Sequence, residues 1–240
     1  MDAVKVLSYN LRKHRAAGEL EELEDRYEPD VLCLQEADVA ALPERVDEMR
    51  LGAATDRNRL GLAIYYRENA FRLKDTVSLG LKRSLHDLVL RPAHERVLGV
   101  QLHDIDAGRE VTVASFHAAP LTALNSLRRT QIRSALEALE RLGPGTPTLM
   151  VGDYNYPVFK ENLGERMRRR GYDLSLSDAR TYMRYRFFRG HYDFVTSRGL
   201  SIDRVITLPQ GSSDHLPILV TAEYRRGHGS QETAGEGDGT

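Results

Sequence analysis

Cysteine is nearly missing: Cys33, within "DVLCLQE", is the single one in 240 residues. No disulfide can therefore close within the chain, and an oxidising compartment has left no mark. Its apolar neighbours mark it as an inert buried thiol. Long apolar runs are missing as well. No segment reaches the roughly 18 uninterrupted apolar residues at which a membrane span becomes plausible. The start, "MDAVKVLSYN", carries an acid at position 2 and no apolar stretch before a cleavage site, so no secretory signal is expected. The expectation is a soluble, cytoplasmic protein with no membrane partner. Excess charge of one sign is also missing. A formal net charge of -1 argues against a protein that coats nucleic acid by bulk electrostatics alone.

The basic residues that are present cluster. "LRKHR" (11–15), "SLRRTQIR" (126–133), "ERMRRRG" (165–171) and "RTYMRYRFFRG" (180–190) hold much of the positive charge. With 41% hydrophobic content the length suits one large core. We read residues 1–226 as one domain and the Gly-rich, polar stretch 227–240 as a disordered tail.

Short β-rich runs bounded by turn residues recur: "VKVLSY", "DVLCLQ", "LGLAIYY", "RVLGVQL", "VTVASF", "PTLMVG", "YDFVTS", "DRVITL" and "PILVTAEY". Helical spacing marks 121–142, with Gly143 and Pro144 as its stop, and also "AGELEELEDRY", "KENLGERMRRR" and, more weakly, "ALPERVDEM". The stretch from Lys74 to Glu95 has no clear assignment. Strands both in succession and separated by helices imply β-sheets packed together with helices outside.

Polar residues gather at the ends of these strands. Asn10, Glu36, His117 and the pair Asp153 and Asn155 each end a strand, whereas Asp193 opens one and Asp214 and His215 precede another. Singly, each has a plainer reading, as a turn former, a solvent-facing acid or a core histidine. If the late strands run antiparallel to the others, all of these residues share one rim. Eight coincidences are then needed to dismiss the pattern.

"LSYNLR", "LCLQE", "SFHAAP", "VGDYN", "HYDFV" and "SSDHLPI" resemble, in order and spacing, the six motifs of the endonuclease/exonuclease/phosphatase superfamily, over residues 4–224. Its members include pancreatic-type deoxyribonuclease, apurinic/apyrimidinic endonucleases and sphingomyelinases. "SFHAAPLTALNSL" is most similar to the first of these, and "ARTYMRYRFFRGHYDF" to the second. Where the deoxyribonuclease pattern has a Glu that orients the histidine, this chain reads "DRNR", with Asp56 as the candidate stand-in. The resemblance implies an α+β fold: a four-layer α/β/β/α sandwich of two packed mixed β-sheets flanked by helices.

It also implies a hydrolase of phosphodiester bonds that uses magnesium, with manganese as the alternative. Such a cation prefers oxygen ligands and few carboxylates, and Glu36 is the first ligand, with Asn10 and Asp214 in support. Asp153 would activate the water and Asn155 would hold water or phosphate. His215, backed by Asp193, would bond the phosphate, and His117 would act on the leaving side. Zinc is disfavoured because no close Cys and His set exists, and a serine hydrolase because no Gly-x-Ser-x-Gly elbow exists.

Arginines interleaved with aromatics ahead of Asp193, and "LRKHR" after Asn10, suit a nucleic-acid groove. Arg12, Arg184, Tyr185, Arg186 and Arg189 are the candidate substrate contacts, with DNA as substrate and a monomer as the working form. The alternatives are a phosphatase or phosphodiesterase of a lipid headgroup, inositol phosphate or other small ester, which would share the same catalytic set, and a non-catalytic binding protein, which the full motif set speaks against.

Overall fold

Apolar residues alternating along the strands pair the chain into two sheets, and the computed structural model describes residues 3–56, 58, 60–82, 95–156, 160–182 and 190–225. One sheet sets seven strands side by side: β12 (Leu200–Thr207), β13 (Ile218–Tyr224), β1 (Ala3–Asn10), β2 (Val31–Ala37), β5 (Gly61–Arg67), β4 (Met49–Ala54) and β3 (Arg45–Val46). The other sets six: β10 (Asp173–Leu176), β11 (Asp193–Arg198), β9 (Thr148–Asp153), β8 (Arg109–His117), β7 (Glu95–Asp104) and β6 (Phe71–Gly80). Each sheet is mixed. β1 runs parallel to β2 and β8 parallel to β9, and the remaining neighbours are antiparallel.

A parallel pair needs a crossover, most often a helix. Helix α1 (Leu20–Tyr27) supplies it between β1 and β2, and α2 (Asn125–Leu142) between β8 and β9; α3 (Lys160–Arg168) follows β9. Val4, Val6, Cys33 and Ile64 of the first sheet bury against Val100, Val113, Leu149 and Val151 of the second. The outer face of the second sheet is covered by Ile132, Leu136 and Leu139 of α2 and Leu163 and Met167 of α3. Leu20 of α1 packs with Leu7, Leu32 and Leu34 on the outer face of the first. Burying a side chain of this kind contributes about 1.5–3 kcal/mol, so three apolar seams hold the four layers of the expected sandwich together.

Each of the nine expected strand runs falls on a strand, overhanging it by at most one residue, and the helical runs near 17–27, 121–142 and 160–170 contain α1, α2 and α3. "ALPERVDEM" does not form the expected helix. It makes a hairpin in which Arg45 and Val46 pair with Arg50 and Met49, and Asp47 takes a positive φ of 49° at the turn. Val46 and Met49 are buried there, while Arg45 and Arg50 both pair with Glu68. Tertiary burial outweighs the helix propensity of Glu, Arg and Met. Within Lys74 to Glu95, residues up to Gly80 continue β6. The expected tail at 227–240 lies outside the described residues.

Cys33 is fully buried and burial pushes its thiol far above the ordinary range. A thiol reagent at neutral pH should therefore label the native protein at a rate at least about a hundredfold below that of the urea-unfolded chain. Fast labelling of the native protein would contradict the packing.

The two sheets are also tied by polar groups. At one end the Gln35 amide donates to Ser115 Oγ (2.9 Å) and to Ser8 Oγ (3.1 Å), and Ser115 Oγ donates to the Leu34 carbonyl (3.0 Å). At the other end the Tyr224 hydroxyl donates to Asp104 Oδ2 at 2.8 Å.

Candidate active site

Strand register brings the late motifs together. His117 pairs with Asp153 across the parallel β8 and β9 ladder, and Asp193 pairs with Asp153 across the antiparallel β11 and β9 ladder. Residues opposite each other in a ladder point to the same face, so three functional groups stand abreast at one edge of the second sheet. The first sheet supplies the facing groups, with Asn10 ending β1, Glu36 near the end of β2, and His215 just ahead of β13.

Asp153 is the centre of this set. Its carboxylate is 2% exposed and accepts from the Asn10 side chain (3.2 Å), the Asn155 backbone (2.9 Å) and the Asn155 side chain (3.0 Å). His117 Nε2 and His215 Nε2 each lie 3.7 Å from Asp153 Oδ2. His215 Nδ1 bonds Asp193 Oδ2 at 2.8 Å, which fixes the imidazole and leaves Nε2 facing Asp153. The Ser213 hydroxyl accepts from the His215 backbone (3.1 Å) and donates to the Asn10 carbonyl (2.6 Å), locking the last motif onto the first.

Several of these residues hold unusual backbone. Glu36 (φ 52°) and Asn155 (φ 47°) lie in the left-handed region, as do Arg12, Lys13 and His14 in succession. For Glu36 the cause is visible: the β2 and β5 ladder shifts register between Leu34 and Ala37, and such a bulge re-aims a side chain. The loop after β1 then closes over it, with the Lys13 N–H donating to Glu36 Oε2 (2.9 Å) and the His14 N–H to the Glu36 carbonyl (2.9 Å). Strain of this kind persists where the surroundings over-determine it.

Electrostatics follow from burial. Loss of solvent pushes the Asp153 carboxyl up to about 7, with the His215 charge pulling it down and Asp193 and Glu36 adding to the rise. Burial opposes charge on His215, yet the Asp193 and Asp153 carboxylates outweigh it and hold the imidazolium up to about 10. His117 goes the other way, lowered by burial and then by the Arg96 guanidinium and His215. Two imidazoles on one carboxylate are thereby driven to opposite charge states.

Asp153, Asp193 and His215 form a set of His, Cys, Asp or Glu side chains whose ligand atoms all lie within 4.8 Å of one another. His215 Nδ1 is already taken by Asp193, so this set reads first as an acid and imidazole pair beside a second carboxylate, that of Asp153. A hard divalent cation nevertheless fits the chemistry of the cleft, where the Glu36 carboxylate adds to the cost of ionising Asp153 in an oxygen-rich surround. Asp214, the third expected ligand, lines the same cleft and sits 3.6 Å from Arg12 Nε.

That cleft measures about 620 Å3 and is lined by Glu36, His117, Asp153, Asn155, Asp214 and His215 from the expected set, together with Arg12. Asn10 and Asp193 lie just behind them, through their bonds to Asp153 and His215. Arg184, Tyr185, Arg186 and Arg189 lie outside the described residues. Lys13, Arg15, Tyr182 and Tyr192 also line the cleft; "LRKHR" and the aromatic run had pointed to this rim. Tyr182 stands edge-on to His215, with ring centroids 5.0 Å apart.

Sequence reasoning missed the groups behind His117. The Arg96 guanidinium donates to the carbonyls of His117 (3.1 Å) and Ala118 (2.8 Å), and buried Arg128 donates to those of Ala119 (3.2 Å) and Pro120 (2.6 Å). Gln131 accepts from the Ala119 N–H at 2.8 Å. Three buried side chains thus hold the strand exit that carries His117. Among the described residues no hydrogen bond or ion pair joins Asp56 to His117.

The family model described as "Endonuclease/Exonuclease/phosphatase family" matches residues 7–215. Protein angel of Drosophila melanogaster is 29% identical over 164 residues, 62% of this chain and 44% of that protein. This chain thus matches less than half the length of that relative. Among solved structures, TDP2 of D. rerio complexed with single strand DNA product superposes with a TM-score of 0.74 at 16% identity, covering 93% of this chain and 100% of that one. A mannosyl-6-phosphatase of Bacteroides thetaiotaomicron superposes with a TM-score of 0.72 at 17% identity, covering 92% and 100%. At such identities the likeness is one of fold.

Proposed function

Because this chain belongs to the endonuclease/exonuclease/phosphatase family, whose members are metal-dependent phosphoester hydrolases, we propose that it hydrolyses phosphodiester bonds of nucleic acid, DNA foremost. The observation that carries the reading is the buried Asp153 carboxylate, oriented by Asn10 and Asn155 and flanked by two imidazoles at 3.7 Å.

In this reading Asp153 takes a proton from the attacking water while the water oxygen bonds to phosphorus and the bond to the departing oxygen breaks. Asn155 holds the water or a phosphate oxygen. His215, kept cationic by Asp193, donates from Nε2 to the phosphate, where negative charge develops. His117, kept neutral, gives an N–H hydrogen bond to the departing oxygen, which takes its proton from solvent as it leaves. Glu36, with Asn10 and Asp214, would hold magnesium, or manganese in its place. A bound divalent cation supplies neutralisation of the phosphoryl oxygens and help for the leaving group. Arg12, with Arg184, Tyr185, Arg186 and Arg189, would contact the substrate beyond the scissile bond. Residues 1–226 would act as one catalytic domain, as a monomer in the cytoplasm.

A second reading, hydrolysis of a small phosphoester, is favoured by the fold likeness to the mannosyl-6-phosphatase and by the near-neutral total charge. Turnover of single-stranded, duplex and abasic-site DNA should be compared with that of sugar phosphates, inositol phosphates and phospholipid, with magnesium or with EDTA. DNA should be cut with magnesium and spared with EDTA, and Asp193→Asn should lower kcat by about a hundredfold or more. Cleavage of small esters alone would remove the nucleic-acid reading. Cleavage of nothing with any divalent metal would remove the enzyme.

A further inference from the structure

A second basic concavity lies on the outer side of the second sheet, between α2 and α3. It measures about 430 Å3 and is lined by Arg129 and Arg133 of α2, by Arg166 of α3 and by Arg169 and Arg170 just beyond it, over a floor that includes Leu163 and Met167. Ser126 and Thr130 add hydroxyls along the same wall. The carboxylates nearest to it are few. Glu137 pairs with Arg133 at 3.8 Å and Arg170 at 3.6 Å, and Glu165 pairs with Arg169 at 2.6 Å, but neither lines the groove. Among the described residues no carboxylate forms an ion pair with Arg129 or Arg166.

The groove and the cleft are lined by residues close together along the chain. Pro120, Leu121 and Thr122 line the cleft, and four residues on, Ser126 lines the groove. Arg129 of the groove donates to the Tyr156 hydroxyl at 3.2 Å, and Tyr156 follows Asn155 of the cleft. Guanidinium forks match phosphate oxygens in a way that ammonium groups do not, and hydroxyls commonly complete backbone contacts to nucleic acid. Concavity, arginine and hydroxyl together favour a strand of linked phosphates over a flat anionic membrane.

We propose that the groove between α2 and α3 binds the sugar–phosphate backbone of the nucleic-acid strand that is cut in the cleft, at nucleotides away from the scissile bond. The proposal rests on the nucleic-acid reading above and narrows it to polymeric substrate. Backbone contacts position a strand without reading its bases, so binding here should tolerate any sequence.

The test uses the full chain and a fluorescein-labelled single strand of 30 nucleotides, with polarisation measured in EDTA over a range of salt. R133Q/R166Q/R170Q changes three solvent-exposed side chains, and its thermal midpoint checks that the fold is kept. Affinity at 0.1 M salt should fall about tenfold or more, and the slope of log K against log salt should shrink by about 2, near 0.7 for each lost phosphate contact on a single strand. R26Q/R45Q/R204Q removes the same charge from exposed sites on the first sheet and α1, and should bind as the wild type does. Unchanged affinity in the groove variant, or equal loss in the control, overturns the proposal. Tighter binding of an acidic peptide or of anionic vesicles at the same arginines overturns it too. Binding is read in EDTA, without turnover. A chain that binds the strand through these arginines but cleaves nothing in the turnover assay would lose the catalytic reading, whereas a cleaving chain whose groove variant binds as the wild type does would lose this one.

Discussion

Asp153→Ala is expected to lower kcat on any phosphoester the protein cleaves by about a thousandfold or more, the scale on which a positioned proton acceptor acts. The carboxylate is the point where both sheets converge, bonded to Asn10 from one and standing in register with His117 and Asp193 of the other. Its thermal stability should hold or rise. A carboxylate that is 2% exposed and has Asp193 and Glu36 as acidic neighbours is costly to ionise, and its removal relieves that cost. Steady-state kinetics and a melting curve on the same preparation measure both. Activity within tenfold of the wild type would remove Asp153 from the chemistry; a fall of many degrees in midpoint would make it a structural residue.

Gly152→Ala should be the most damaging single methyl in the molecule. Gly152 holds φ at 142°, where side chains are rarely tolerated, and a Cβ there would lie 2.1 Å from the carbonyl oxygen of Phe116 on the neighbouring strand. The obstacle is backbone of a parallel ladder, one pair before His117 and Asp153, so no side chain can swing aside. Backbone strain and overpacking together put the cost at about 3 kcal/mol or more. Any relief would push β9 away from β8 and separate Asp153 from His117, so activity should fall further than the folded fraction does. Chemical denaturation read against specific activity separates the two effects. A variant as stable and as active as the wild type would show that the strands are not set this close.

The parts of the fold that were readable are those in which one physical signal dominates. "VKVLSY", "DVLCLQ" and "PTLMVG" are apolar enough to be core whichever way they pair, and they form β1, β2 and β9. β6 escaped because an edge strand with charged residues and alternating exposure, "FRLKDTVSLG", carries no steady apolar pattern. The hairpin at Arg45 to Arg50 escaped because its first strand, two residues long, is too short for periodicity and its residues favour a helix in isolation.

The site divides in the same way. Acids, amides and imidazoles at strand ends announce themselves, because a polar group following an apolar run needs a reason. Arg96, Arg128 and Gln131 do not, since each is a common surface residue type and only burial reveals that it holds the carbonyls and amide next to His117. Ser213 lay inside a motif already noticed, yet its bond to the Asn10 carbonyl is between residues 203 positions apart, a relation that no local pattern carries.

The tie between Tyr224 and Asp104 stands at the end of the sandwich remote from the cleft, while Asn10 with Asp153 and His215 with Asp193 tie the near end. Fastened top and bottom, the two sheets cannot shear past each other without breaking a buried bond. The halves of the proposed catalytic set, one carried by each sheet, are accordingly aligned before any substrate arrives. In the reading proposed above, discrimination between esters would fall to the mouth, where Arg12, Lys13, Arg15, Tyr182 and Tyr192 line the cleft.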